Sequence, residues 1–173
     1  YKVNLYLLKK SIDSVLMQSY IDFELIIIND GIVNTTILEY LKEIKDNRIY
    51  ILHQENMGIS YSRNVFLKNA KGDLFTFIDA DNTWNIDYLK NVHECYMKKD
   101  VYTAYAKLQY VSTGKILFHN FDYNMLKNNN FIDMNVFSFK KQVYEKMGGF
   151  DESLNRLVDW DLNLKYCGVY PPE

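Results

Sequence analysis

Two short apolar runs constrain what this chain can fold into. Phe23–Ile28 is apolar apart from Glu24, and Leu74–Ile78 is apolar apart from Thr76. Neither alternates with polar residues, and neither is long enough for a helix, so both read as strands covered on two faces. Such strands need helices around them, and the intervening sequence supplies helical spacing. Leu5, Leu8, Ile12, Val15 and Leu16 predict a helix over 5–18. Thr36 and Glu39 have capping-box spacing ahead of an Ile37, Leu41, Ile44 stripe. Arg48–His53 reads as a short strand, Ser60–Ala70 as a helix closed by Gly72, and Ile86, Leu89 and Val92 mark another helix. The alternation predicts an α/β fold: a Rossmann-like, mostly parallel sheet flanked by helices.

After Asp100 the texture changes. Val101–Val111 is Tyr-rich and strand-like, Ser112–Lys115 is a turn, and Ile116–Phe121 returns as a strand. This predicts an antiparallel hairpin added to the sheet. Phe139–Met147 reads as a helix stopped by Gly148-Gly149, and Trp160–Tyr166 as a last helical piece. Nothing reads as a linker, so 1–173 is expected to be a single domain.

Composition narrows the function classes. A net charge of −2 argues against a protein that wraps nucleic acid. No run approaches the ~18 apolar residues of a membrane span, and no stretch reads as a secretory signal. Cys95 and Cys167 lack metal-ligand spacing and fit a reduced, cytosolic setting. His53, His93 and His119 are scattered and receive no metal role.

Chemistry is expected where strands end, because open α/β sheets bind ligands beyond the carboxyl ends of their strands. Asp30 follows one apolar run and Asp79 the other. Asn29-Asp30-Gly31 is equally a plain turn signal. Asp79 and Asp81 lie two apart and, on extended backbone, point the same way. Paired carboxylates repel unless a proton or cation intervenes, and Mg²⁺ or Mn²⁺ suits oxygen ligands that bridge to phosphate. The spacing alone says little: with 14 Asp in 173 positions, chance gives about one D-x-D, and Asp159/Asp161 is a second. Those two acids open the last helix, where they either complement its dipole or include a general base. Asn56, Gly58 and Arg63 lead into a helix whose amide donors could face phosphate, although a surface Arg is the plainer reading. Trp84 and Trp160 read as core.

Taken together, these segments resemble family 2 glycosyltransferases of the GT-A fold. ENMGISYSRNVFLKNAKGDLFTFIDADNTW (55–84) carries the turn, the Arg-Asn helix, the Lys-Gly-Asp step and the strand ending in D-x-D. LLKKSIDSVLMQSYIDFELIIINDG (7–31) resembles the first helix and second strand, and MGGFDESL (147–154) and VDWDL (158–162) resemble two downstream segments. The resemblance implies a nucleotide-sugar donor, with a UDP-sugar expected, a divalent cation (Mn²⁺ or Mg²⁺), and a glycan or lipid-linked acceptor hydroxyl attacked with inversion. By position, Asp30 would bind the base, Arg63 would lie near the nucleotide, and Asp79 would face the ribose and sugar-phosphate. Asp81, with Asp79, would hold the metal, and Asp159 would be the catalytic base. Residues 1–100 would form the donor half and 101–173 the acceptor half. The family role implied is bacterial cell-surface polysaccharide synthesis, cytoplasmic or at the inner face of the membrane, with room for peripheral membrane association.

The pattern departs from the family in three places. Asn29-Asp30-Gly31-Ile32 replaces Asp-Asp-Gly-Ser. Val158 replaces the Glu before the base. Tyr1 matches the Tyr of a Tyr-Asn step, with Lys2 in place of Asn, but the apolar strand ahead of it is absent. In a sheet ordered 3-2-1-4 that strand would be central, so two strands are expected to lose a neighbour, and the sequence reads as a piece incomplete at both ends. Two alternatives remain open: a non-catalytic nucleotide-sugar-binding domain, and a haloacid-dehalogenase-like phosphatase, whose D-x-D-x-T string Asp79–Thr83 also fits.

Overall fold

The computed structural model describes residues 3–98 and 100–173; Tyr1, expected to contact the donor, lies outside them. In the first half, helices and strands alternate as the periodicity demands. Helix α1 (Leu5–Leu16) is capped by Asn4, whose side chain accepts from the Tyr6 and Leu7 amides, and it buries Leu8, Ile12 and Val15. Strand β1 (Leu25–Asp30) pairs in parallel with β2 (Ile49–Gln54), from Leu25 opposite Ile49 to Asp30 opposite Gln54. Between them, α2 (Thr35–Glu43) buries Ile37 and Leu41. Its cap is Asn34, which accepts from the Ile37 amide, rather than the Thr36/Glu39 box. Helix α3 spans Ile59–Asn69, and α4 (Tyr88–Tyr96) starts two residues after the expected Ile86, which is 57% exposed.

The second half departs further from the sequence reading. Strand β3 is short (Leu74–Thr76) and pairs antiparallel with β7 (Phe137–Lys140), which also pairs antiparallel with β4 (Thr103–Tyr105). Phe139, expected in a helix, is therefore in a central strand, and helix α6 starts at Lys141 and runs to Met147. The physical reason is burial on both faces: Phe137, Ser138 and Phe139 are all buried, which suits a central strand better than a surface helix. Val101–Val111 divides into β4 and β5 (Leu108–Gln109), and β5 pairs with β6 (Ile116–Leu117) as a separate two-stranded sheet instead of extending the main one. Helix α5 (Tyr123–Asn128), a 3₁₀ turn (Met134–Val136) and α7 (Val158–Cys167) complete the chain.

The main core lies where α3, α6 and α7 cover the antiparallel sheet, around Phe75, Phe137, Phe139, Leu162 and Tyr166. A smaller cluster joins α1 and α2 through Leu8, Ile12, Ile37 and Leu41. The parallel character of the fold resides in β1 and β2. Strands β1 and β3 share no ladder among the described residues, so each leaves one edge unpaired there. Between them is a slot of about 1420 Å³, lined by Ile12, Ile26, Ile28, Phe66, Phe75 and Phe77 among others. The chain exposes 10571 Å², against about 8900 Å² for a compact monomer of its 20.6 kDa mass.

The Phe139 ring is fully buried, edge-on to Tyr166 at 5.0 Å and to Phe75 at 5.8 Å. Phe139→Ala should lower stability by about 3–5 kcal/mol, whereas Val111→Ala, at a position 91% exposed, should stay within about 0.5 kcal/mol. Urea unfolding of both variants measures the contrast.

Candidate active site

The site begins at the end of β1. Asp30 accepts hydrogen bonds from Gln54 Nε2 (2.7 Å), the Met57 amide (2.8 Å) and the Gly58 amide (3.1 Å). Its carboxylate thus fixes the loop that enters α3, and with about four lone-pair sites it retains acceptor capacity. Gly31 follows at φ 77°, and a Cβ there would meet the Asn56 amide nitrogen at 2.8 Å. A side chain at 31 would push the two loops apart.

Helix α3 then delivers Arg63 and Asn64 inward. Asn64 donates through Nδ2 to the Phe150 carbonyl (2.9 Å) and to Glu152 Oε1 (2.7 Å), and accepts from the Phe150 amide (2.8 Å). This pins the Gly-Gly-Phe-Asp-Glu segment to α3. A Cβ on Gly149 would collide with Asn64 Oδ1, which explains a glycine there. Arg63 is only 8% exposed. Its guanidinium lies 5.2 Å from the Phe150 ring centre and 5.7 Å from that of Phe77. Nη1 donates to Asp159 Oδ1, and Nη2 lies 3.6 Å from Asp79 Oδ1. Arg63, Asp79 and Asp159, expected to serve one site, are brought together.

Asp79 and Asp81 do not sit on a strand. Strand β3 stops at Thr76, and the Asn82 amide donates to the Asp79 carbonyl (3.1 Å), closing a turn. Helix α1 holds this turn: Ser11 Oγ donates to the Asp79 carbonyl (3.1 Å), and Ser14 Oγ accepts from the Trp84 amide (3.2 Å). Asp81 is exposed and, among the described residues, has no side-chain hydrogen bond or ion pair. No cluster of three or more His, Cys, Asp or Glu forms a metal cage among the described residues. Both tryptophans are structural: Trp84 stacks on Tyr88 at 4.5 Å, and Trp160 Nε1 donates to the Leu126 carbonyl (2.6 Å).

Asp159 lies in the first turn of α7, whose N-cap, Leu157, is left-handed (φ 61°) and makes no side-chain cap. Burial pushes the Asp159 carboxyl above the usual carboxylate range; Arg63 works against that rise, and Asp79 and Asp133 add to it. The like charge that a Glu at 158 would have supplied comes instead from across the site. Asp161 points its charge elsewhere: burial lowers the Lys165 ammonium, and Asp161 one turn away offsets part of that. Asp133 and Asn135 were missed by sequence reasoning. Asn135 Nδ2 donates to Asp79 Oδ2 and to Asp133 Oδ1, both at 2.9 Å. The available signal was an Asp-Met-Asn step directly before Val136–Phe139, which is apolar apart from Ser138.

A carboxyl raised on folding keeps its proton to higher pH than in the unfolded chain. The Asp159 contribution to stability should therefore fall as pH climbs through the usual carboxylate range and up to its folded titration. Asp159→Asn should remove that slope. Unfolding at a series of pH values, with Arg63, Asp79 and Asp133 intact, checks it.

Comparisons with known proteins bear on the family and the fold. The model of "Glycosyl transferase family 2" matches residues 5–149. Glycosyltransferase GlyA of Streptococcus pneumoniae is 36% identical over 96 residues, covering 54% of this chain and 14% of that protein. Uncharacterized glycosyltransferase RT0329 of Rickettsia typhi is 27% identical, covering 94% of this chain and 55% of that protein. The glucosyltransferase WfgD of Escherichia coli is 31% identical, covering 62% and 42%. The chain thus spans about half, or less, of the length of these relatives. Among solved structures, S. aureus TarS 1-349 with UDP-GlcNAc superposes with a TM-score of 0.77 at 17% identity, over 92% of this chain and 49% of that one. The mannosyltransferase PcManGT of Pyrobaculum calidifontis, with GDP-Man and Mn²⁺, gives 0.74 at 16% identity, over 99% and 51%. These likenesses establish a GT-A fold, and the match over residues 5–149 makes the chain a member of glycosyl transferase family 2.

Proposed function

We propose that this chain carries the donor site and catalytic base of an inverting glycosyltransferase that moves a sugar from a UDP-sugar to a hydroxyl of a glycan or lipid-linked acceptor. The observation that carries it is Arg63, held between Asp79 on the turn after β3 and Asp159 on α7. One guanidinium thereby ties the turn assigned to the donor to the helix assigned to the acceptor. The likeness to WfgD, a UDP-Glc:alpha-D-GlcNAc-diphosphoundecaprenol beta-1,3-glucosyltransferase, supports a UDP donor and a lipid-linked acceptor. The PcManGT complex contains Mn²⁺ and a guanine nucleotide, so it supports the cation and leaves the base to Asp30.

The residues fit the roles. Asp81 is exposed and unpartnered among the described residues, and Asp79 stands in the same turn. Asp81 and, with its remaining lone pairs, Asp79 would supply hard oxygen ligands of the kind that suits Mg²⁺ or Mn²⁺. Bound there, the cation would offset charge on the leaving diphosphate. Asp159 takes the proton of the acceptor hydroxyl as its oxygen bonds to the anomeric carbon and the bond from that carbon to the phosphate oxygen breaks. Burial makes Asp159 a better proton acceptor than an ordinary surface carboxylate, while Arg63 keeps its charged form accessible. Residual acceptor capacity on Asp30 suits the imide N–H of uracil. Neither a phosphatase nor a binding-only domain is favoured by the family match.

Calorimetry with UDP and Mn²⁺ tests the donor half. Binding should vanish with chelator, weaken in Asp81→Asn, and be tighter for UDP than for GDP. Equal affinity with and without metal would sink the cation role, and tighter GDP binding would sink the base assignment. For the acceptor half, Asp159→Asn should cut transfer by about 10²–10⁴ with UDP binding nearly intact. Turnover close to normal in that variant, with loss in Asp161→Asn, would mean the wrong carboxylate is named.

A further inference from the structure

Asn135 is 6% exposed, and its polar atoms converge on the turn after β3. Its Oδ1 accepts from the Asp79 amide at 2.6 Å, while its Nδ2 donates to Asp79 Oδ2 at 2.9 Å. The carboxamide thus grips Asp79 at two points, backbone and side chain. Nδ2 also donates to Asp133 Oδ1 at 2.9 Å, and the Asn135 amide donates to the same oxygen at 2.8 Å. The Asn135 carbonyl accepts from Trp84 Nε1 at 2.8 Å, which ties the far end of the same turn. With Oδ2 held by Asn135, Asp79 presents Oδ1 to Arg63.

The chemistry of the position is restrictive. It requires an acceptor for an amide N–H and, on an adjacent atom, donors for two carboxylates at once. A primary carboxamide offers one acceptor oxygen beside an NH₂ with two donors. An aspartate there would keep the acceptor and set a third carboxylate against Asp79 and Asp133. A hydroxyl would supply a single donor.

We propose that Asn135 is a positioning residue that fixes the orientation of the Asp79 carboxylate, so that one oxygen stays on Arg63 and the turn presents Asp81 outward. The link to nucleotide binding rests on the glycosyl-transfer reading; the orientation itself is a property of the chain.

The test is a double-mutant cycle on the whole chain with Asn135→Asp, Asp79→Asn and the pair combined. Asn135→Asp should lower Tm and weaken UDP·Mn²⁺ binding by about 10- to 100-fold, the usual cost of losing a partner that orients a ligand group. The combined variant rebuilds an amide–carboxylate pair with its polarity reversed. The new repulsion from Asp133 is common to both chains that carry Asn135→Asp and cancels in the cycle. The combined variant is read for stability alone, because Asp79→Asn removes a donor-site carboxylate, and it should be more stable than the two single changes sum to. UDP·Mn²⁺ affinity is read in Asn135→Asp well below its Tm, where the chain is folded: a positioning role weakens it there, and a purely structural role leaves it unchanged. Additive losses in Tm overturn the proposal, as does unaltered affinity in folded Asn135→Asp. If the unaltered chain binds no UDP with Mn²⁺, the glycosyl-transfer reading fails, and the stability cycle still decides the role of Asn135.

Discussion

A guanidinium that is 8% exposed is the constraint on which the site depends. A buried charge without partners is penalised by several kcal/mol even after relaxation, so Arg63 has to find carboxylates. It finds them on two segments far apart in sequence, at 79 and 159. The flanking rings of Phe77 and Phe150 add cation–π attraction and keep water away. Asn64, the next residue on α3, docks the backbone of Phe150. Two adjacent helix residues therefore fasten α3 to the end of β3, to the Gly-Gly-Phe segment and to α7.

The opposite side of the site is held more loosely. Strands β1 and β3 flank an apolar slot with no ladder across it among the described residues, so the β1–β2 half is joined to the β3–β7–β4 half chiefly through helices. Helix α1 supplies much of that join. Ser11 and Ser14 reach the turn after β3, and Gln18, just past the end of α1, donates to the Asn85 carbonyl and accepts from the Leu89 amide. Three buried polar side chains along one face bind the segment from 79 to 89. Asp30 and Asp79 stand at ends of strands in different sheets, yet their separation is governed by α1 and α3 rather than by strand pairing.

Periodicity revealed the elements that have one buried face or two, and it failed where burial comes from distant partners. Ile37 and Leu41 are buried at their helical spacing, and Leu25–Ile28 is a strand. Phe139 reads like the start of the helix that follows, because the last residues of a short central strand are indistinguishable from a first helical turn. Only pairing with Phe75 and Ala104, more than 30 residues away in sequence, makes Phe137–Lys140 a strand. The hairpin was legible as a hairpin, but its separation from the main sheet was not, since strand pairing partners leave no local trace. At the site, Arg63, Asp79 and Asp159 were legible through motif order. Asn135 was not, since its role follows from hydrogen bonds to residue 79, and a single Asn before an apolar run looks like any turn.

Strand β3 leads into acids that turn out to be unequal. Asp79 accepts from Asn135 on one oxygen and faces Arg63 with the other, so its carboxylate is largely committed to the protein. Asp81, two residues on, is exposed and has no side-chain partner among the described residues. Had the strand continued past Ile78, both side chains would have shared one direction and one environment. The turn closed by Asn82 gives them different surroundings instead: Asp79 is tied to Asn135 and Arg63, and Asp81 is exposed. It leaves one carboxylate to hold the loop in register with Arg63 and the other facing solvent. A pair that looks redundant in sequence becomes a fixed anchor and an exposed acid because the strand stops at Thr76, before it reaches them.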